Sequence, residues 1–285
     1  MYKQKLCMAL SKQFNIPLEE LILLYKNAGF DGFAIDISDR KTDAASLVAV
    51  GKKENMIIQS LHAPFNKSDD MWFEGELGDE ALKELIEDIE LCAELEIPIM
   101  VAHTFIGFYD ENIPTQLGID RYGALAKRAG EVGVKLALEN TEGEEYLDAL
   151  MNAFKGEKQV GFCWDTGHEL CYNRGRNLMA DYGDRLIATH LNDNLGVRDF
   201  GGKTTFIDDL HLLPFDGIHD WNLIAGRLAD SPFDGPLTFE LNTGSNPGRH
   251  DNDKYAAMPV ENYIAEAYNR ACRIGALYIR AKEEK

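Results

Sequence analysis

The sequence predicts one α/β domain, a closed (β/α)8 barrel spanning residues 1–285. Short apolar, β-branched runs alternate with longer segments of helical period from end to end, the pattern of βαβ units around a parallel sheet. No linker or low-complexity stretch interrupts the alternation, which favours one barrel over two open domains. With 285 residues and 45% hydrophobic content the chain can bury one large core, and barrels of about 250 residues form single domains.

Eight runs read as strands: Leu6–Leu10, Gly32–Ile37, Met56–Ala63, Ile97–Thr104, Val134–Asn140, Val160–Thr166, Leu186–Asp193 and Pro236–Asn242. After the first, Pro17–Ala28 reads as a helix, with Pro17 near its start and Gly29 just past its end. After the third, Gly78–Leu95 carries Leu82, Leu85, Ile89 and Cys92 on one helical face. Val260–Ala281 closes the chain with a long helix. The segments Pro64–Leu77, Asn194–Asp220 and Thr243–Pro259 follow the third, seventh and eighth strands and are long. In a barrel such loops face the active site, and long ones without structure of their own are expected to be lids, binding loops or disordered.

The balance of 29 Lys+Arg against 48 Asp+Glu leaves a net charge of −19. That argues against binding nucleic acid or anionic lipid, which rests on neutralising phosphates. It does not exclude a local positive site, because a bound divalent cation inverts the local field. The five cysteines (Cys7, Cys92, Cys163, Cys171, Cys272) are scattered with no C-x-x-C pair, so reduced thiols in the cytoplasm are expected. Residues Met1 to Leu10 lack a signal-peptide pattern, and no run of 18 apolar residues spans a membrane.

The chemistry gathers at the strand ends. The third strand ends in Leu61-His62-Ala63, the fourth in Ala102-His103-Thr104 and the fifth in Leu138-Glu139-Asn140. The sixth runs into Trp164-Asp165-Thr166-Gly167-His168, the seventh into His190-Leu191-Asn192-Asp193 and the eighth into Phe239-Glu240-Leu241. A lone His or Glu at a strand end is ordinarily a solvated or hydrogen-bonded residue. Six such ends in succession, converging at one mouth, call for another explanation. Carboxylate oxygens with imidazole nitrogens suit Mn²⁺, Zn²⁺, Co²⁺ or Mg²⁺. A carboxylate that follows an apolar run, as Glu139, Asp165 and Glu240 do, is costly to bury unless paired or metal-bound.

These motifs resemble the xylose-isomerase-like TIM-barrel superfamily over nearly the whole chain. That superfamily groups sugar isomerases, ketose 3-epimerases, hydroxypyruvate isomerases, inosose dehydratases and endonuclease IV, an AP endonuclease of family 2. The resemblance implies that Glu139, Asp165, His190 and Glu240 form a four-ligand metal site, with Glu139 and Glu240 as base and acid. It places His168 against a substrate oxygen or on a metal, with a structural bond across the Asp165–His168 turn as the plainer role. Asp209-Leu210-His211, followed by Pro214, Gly217 and Trp221, looks like the superfamily's D-x-H segment, and His62 and His103 match histidines after the third and fourth strands. All nine positions that hold three zinc ions in endonuclease IV are thus filled by residues of the right type. The expected function is metal-dependent isomerisation or epimerisation of a sugar or sugar phosphate by enediolate-type proton transfer. An endonuclease IV-like AP endonuclease and an inosose-type dehydratase are the alternatives, and a homo-oligomer is left open.

One departure weighs against a specific ketose 3-epimerase. Six residues after the seventh-strand histidine, where epimerases carry arginine, stands Gly196, with Arg198 two further on. Arg174, Arg198, Lys203 and Arg249 are candidates for meeting a phosphate or carboxylate, with surface solvation as the plainer role for each. Phe65, Trp72, Phe105 and Phe108 are candidates for the apolar face of a sugar, or for packing at the rim. His219 and His250 match no motif.

Overall fold

A computed structural model describes residues 4–109, 111–198 and 204–285. All eight expected strands form, each within the run that predicted it: β1 Leu6–Ala9, β2 Gly32–Asp36, β3 Ile57–His62, β4 Ile99–His103, β5 Lys135–Glu139, β6 Val160–Asp165, β7 Leu186–His190 and β8 Leu237–Phe239. They pair in the order β7-β6-β5-β4-β3-β2-β1-β8, each with its neighbour in parallel. A parallel bridge between Leu191 and Phe239 joins β7 to β8 and closes the ring. The fold is therefore a (β/α)8 TIM barrel.

Helices α1 (Leu18–Ala28), α2 (Ala44–Lys53), α3 (Glu76–Glu94), α4 (Gln116–Val132) and α5 (Glu144–Ala153) follow the first five strands. Short helices α6 (Thr166–Cys171) and α7 (Leu178–Tyr182) follow β6, and α8 (Trp221–Asp230) follows β7. The chain ends with α9 (Asp253–Ala256) and α10 (Val260–Glu283). Local chemistry explains the boundaries. The side chains of Asp43, Thr115 and Asp220 accept N–H groups from the first turns of α2, α4 and α8. Gly29 stops α1 at φ 116°, where an added Cβ would meet the Tyr268 ring at 2.5 Å.

Two apolar compartments result. The large one lies between sheet and helices and contains Tyr25, Phe33, Trp72, Tyr122, Phe162 and Tyr263. The small one, Val101, Ala137, Cys163 and Ala188, comes from adjacent strands β4 to β7. Each of these residues lies two positions before His103, Glu139, Asp165 or His190. Strand side chains repeat every second residue on a face. The four polar residues therefore stand on the same face, one layer nearer the C-terminal mouth.

The Pro64–Leu77 segment is not the structureless lid that its length suggests. A 3-10 turn at Asp70–Trp72 buries Trp72, whose Nε1 donates to the Thr104 carbonyl at 2.8 Å. Buried Arg121 donates to the carbonyls of Asp70, Met71, Phe73 and Gly75, pinning the segment to α4. No helix among the described residues is long and apolar enough to cross a membrane.

Candidate metal centre

The register sets neighbours at the mouth. His103 pairs with Glu139, and Asp165 pairs with His190. Ligand atoms of Glu139, Asp165, His190 and Glu240 lie within 4.8 Å of one another. His190 Nδ1 stands 2.7 Å from Glu139 Oε1 and 2.8 Å from Glu240 Oε2. Three further groups of ligand atoms lie equally close: His62, His103 and Glu139; Glu139, Cys163 and His190; and His168, Asp209 and His211. Glu139 belongs to every set but the last. Its Oε2 is 3.1 Å from His62 Nε2 and 3.5 Å from His103 Nε2. Asp209 Oδ2 lies 3.2 Å from His168 Nε2 and 3.0 Å from His211 Nε2.

Backbone carbonyls orient the imidazoles. Nδ1 of His62 bonds to the Ala63 carbonyl at 2.8 Å, Nδ1 of His168 to that of Asn140 at 2.9 Å, and Nδ1 of His211 to that of Glu240 at 3.2 Å. With Nδ1–H donating, each Nε2 is turned toward the carboxylates, the outer-shell arrangement that fixes a ligand's tautomer. Asn192, two residues beyond His190, does the same for Asp165. Its Nδ2 donates to both carboxylate oxygens, at 3.1 and 2.9 Å. Gly167 makes room for it, since a Cβ there would meet Asn192 Oδ1 at 2.0 Å. Asn140 grips the Asp165 backbone on both sides, accepting from its N–H and donating to its carbonyl. Asp165 in turn caps α6 through the His168 N–H, at 2.7 Å.

The electrostatics are those of a crowded acidic ring. Burial pushes Asp165 up to about 6 despite nearby His168 and His211. Burial also opposes the charge on Glu240, yet the charge and hydrogen bond of His190 bring it down to about 2. His211 is disfavoured as a cation by burial, but Asp209 lifts it to about 10. His103, buried and without a close carboxylate hydrogen bond, falls to about 3. The residues fit a divalent cation. Four carboxylates (Glu139, Asp165, Asp209, Glu240) and five imidazoles (His62, His103, His168, His190, His211) converge, and buried Asp209 Oδ1 and His103 Nδ1 have no hydrogen-bond partner among the described residues.

A cavity of about 360 Å³ opens beside this ring, lined on the ring side by His62, His190, His211 and Glu240. The Glu240 side chain is 30% exposed, whereas that of Glu139 is fully buried. His168, 4% exposed, is not among the lining residues and turns its Nε2 to Asp209.

Residues 22–263 match the family described as xylose isomerase-like TIM barrel. The chain belongs to that family. Among curated relatives, a protein of Sinorhizobium fredii named uncharacterized protein y4fM is 30% identical over 199 residues, 64% of this chain and 61% of that protein. A probable endonuclease 4 of Cenarchaeum symbiosum is 30% identical over 135 residues, 38% of this chain and 46% of that protein. The matched stretches thus span about half to three-fifths of these relatives. Among solved structures, the IolI protein with a bound zinc atom shares 20% identity at TM-score 0.74, covering 96% of this chain and 99% of that one. An L-ribulose 3-epimerase shares 15% at TM-score 0.70, covering 99% and 96%. These two likenesses are likenesses of fold.

Other expected residues of this family member fall in different places. Phe65 does reach the cavity, stacked on His103 at 4.5 Å between centroids. Trp72 and Phe105 do not: both are buried, Phe105 stacked on Tyr146 at 4.1 Å, so neither offers a face to a sugar. Half-buried Phe108 tilts against Tyr172. Arg249 is buried on Asp208 and Asp251, its charge already matched, while Arg174 and Arg198 are exposed. Lys203 lies outside the described residues. His219 Nε2 donates to the Thr166 carbonyl (2.8 Å), and exposed His250 pairs with Asp253. The cysteines are free, and all but Cys272 are buried. The sequence reading passed over Asn140, Asn192 and Asp193. Asp193 is a buried hub that accepts from Phe215 N, His219 N and Trp221 Nε1, so it shapes the loop bearing Asp209 and His211. Its signal was a polar residue that a strand end carries into the interior.

Proposed function

We propose that the chain is a metal-dependent isomerase or epimerase of a sugar or polyol. The observation that carries this reading is Glu240: a carboxylate beside His190 that opens onto a cavity of monosaccharide size. A divalent cation held by Glu139, Asp165, His190 and Glu240 would supply Lewis-acid stabilisation of charge developing on substrate oxygens. Glu240, ionised at neutral pH, is the group that takes a proton from a carbon next to a carbonyl. Glu139 has both oxygens engaged by imidazoles and serves as a ligand. His62 and His211 line the same cavity and meet substrate oxygens. Mn²⁺, Zn²⁺, Co²⁺ and Mg²⁺ are the candidate ions.

The test is solvent deuterium exchange, followed by NMR, on metal-loaded protein with ketoses, aldoses and inosose-type compounds. Exchange at one carbon with interconversion of isomers supports the reading, while an unsaturated product absorbing in the ultraviolet points to a dehydratase.

A second reading, an AP endonuclease, is favoured by the ligand groups beside the primary one and the match to a probable endonuclease 4. Weighing against it are the charge of −19 and the acidic cavity wall at Asp36 and Asp39. Nicking of abasic-site DNA at high turnover, with sugars untouched, would reverse the order of the two.

A further inference from the structure

The cavity has a second wall, away from the ligand ring, built by the loops after β1 and β2: Ser11, Lys12, Gln13, Asp36, Ser38 and Asp39. A substrate phosphate needs a cation or a set of unspent N–H groups to hold it. This wall offers neither. Lys12, the only Lys or Arg lining the cavity among the described residues, has its ammonium on Asp39. The loops after the seventh and eighth strands are where such barrels frequently build a phosphate site. Here the N–H groups of Thr243 and Gly244, just past β8, both donate to Oε1 of Gln13, at 3.2 and 2.8 Å. Arg249, further along the same loop, is 7% exposed and held by two aspartates.

Asp36 is arranged in the opposite sense. Register places it beside His62 at the mouth. Its Oδ1 accepts from the Ser38 N–H at 2.6 Å and from the Ser38 hydroxyl, and no described residue donates to Oδ2. A carboxylate fixed through one oxygen and unspent at the other is a preorganised acceptor for hydroxyl groups and repels anions.

We propose that this site takes an uncharged polyhydroxylated substrate, a free sugar or cyclic polyol, with Oδ2 of Asp36 accepting one of its hydroxyls, and that it discriminates against phosphate esters. The proposal rests on the isomerase reading for the reaction, and binding can be measured apart from turnover. Metal-loaded protein is titrated by saturation-transfer NMR with free ketohexoses and inositols and with the monophosphate ester of each, and deuterium exchange is followed in parallel. The expected result is binding of the uncharged compounds at least tenfold tighter than of their esters. Asp36→Asn, checked for an unchanged melting profile, should weaken them about tenfold, in KM and not in kcat, and narrow the gap to the esters. Esters that bind as well as the free compounds overturn the proposal, as does an Asp36→Asn protein with unaltered affinity or a failure of both panels to bind. If the uncharged compounds bind and no proton exchanges, the isomerase reading falls and this one stands.

Discussion

Replacing Glu240 and Glu139 by Gln separates a reacting carboxylate from a ligating one. Gln keeps the shape of Glu and removes its charge. At Glu240 the side chain is 30% exposed and its Oε2 faces His190 at 2.8 Å, so the loss falls on the cavity side of the ring. Loss of a general base typically costs about 10²–10⁴ in rate, or about 3–5 kcal/mol of barrier. Glu240→Gln should therefore fold normally, keep part of its metal and lose turnover on that scale. At Glu139 both oxygens are buried and engaged, Oε1 by His190 at 2.7 Å and Oε2 by His62 at 3.1 Å. Removing that charge leaves buried imidazoles without their partner, which costs about 3–5 kcal/mol when such a pair is broken. Glu139→Gln should lose metal and melt at lower temperature as well as losing activity. The assays are metal content per chain by mass spectrometry, a thermal melt, and initial rates of deuterium exchange, with His62→Ala as a control. If both Gln variants keep full activity and metal while His62→Ala loses both, the primary site is misplaced and the reasoning fails.

Other consequences are open to measurement. Asn192→Ala removes the amide that donates to both oxygens of Asp165 and should weaken metal binding about 10–100-fold, read by Co²⁺ titration, with the fold retained. Chelation should lower the melting temperature: metal at 100 times its Kd adds about 2.7 kcal/mol, on the order of 5 °C for a domain of this size. An unchanged melt after complete metal removal would contradict that. Asp216 ties the β7–α8 loop to α9 and α10 through Lys254, Tyr255 and Arg270. Burial opposes its charge, but these three bonds hold its pKa below the ordinary value, so the stability it adds is present above about pH 4 and lost as pH falls through the lowered folded value. Asp216→Asn should cost about 2 kcal/mol at pH 7, and its deficit against the parent should shrink below pH 4 in denaturant melts.

The strands were legible because barrel strands are buried on both faces and so read as near-continuous apolar runs. Val160–Trp164 and Val134–Leu138 are of this kind, and the polar residue that ends each run, Asp165 or Glu139, announces itself by contrast. Period-two alternation then fixes which of these end residues share a face. The sequence alone thus determined the barrel, the eight strands and the list of residues able to bind a cation at its mouth. Only the tertiary structure decided what each of those residues and its neighbours faces. Trp72 and Phe105 follow strands just as Phe65 does, yet only Phe65 reaches the cavity, because Thr104 and Tyr146 from other elements bury the first two. Glu139 and Glu240 are alike in sequence context, but imidazoles from β3, β4 and β7 enclose one carboxylate and leave the other open. Such differences arise from contacts between residues far apart in the chain, which strand periodicity does not encode and only closure of the barrel brings together.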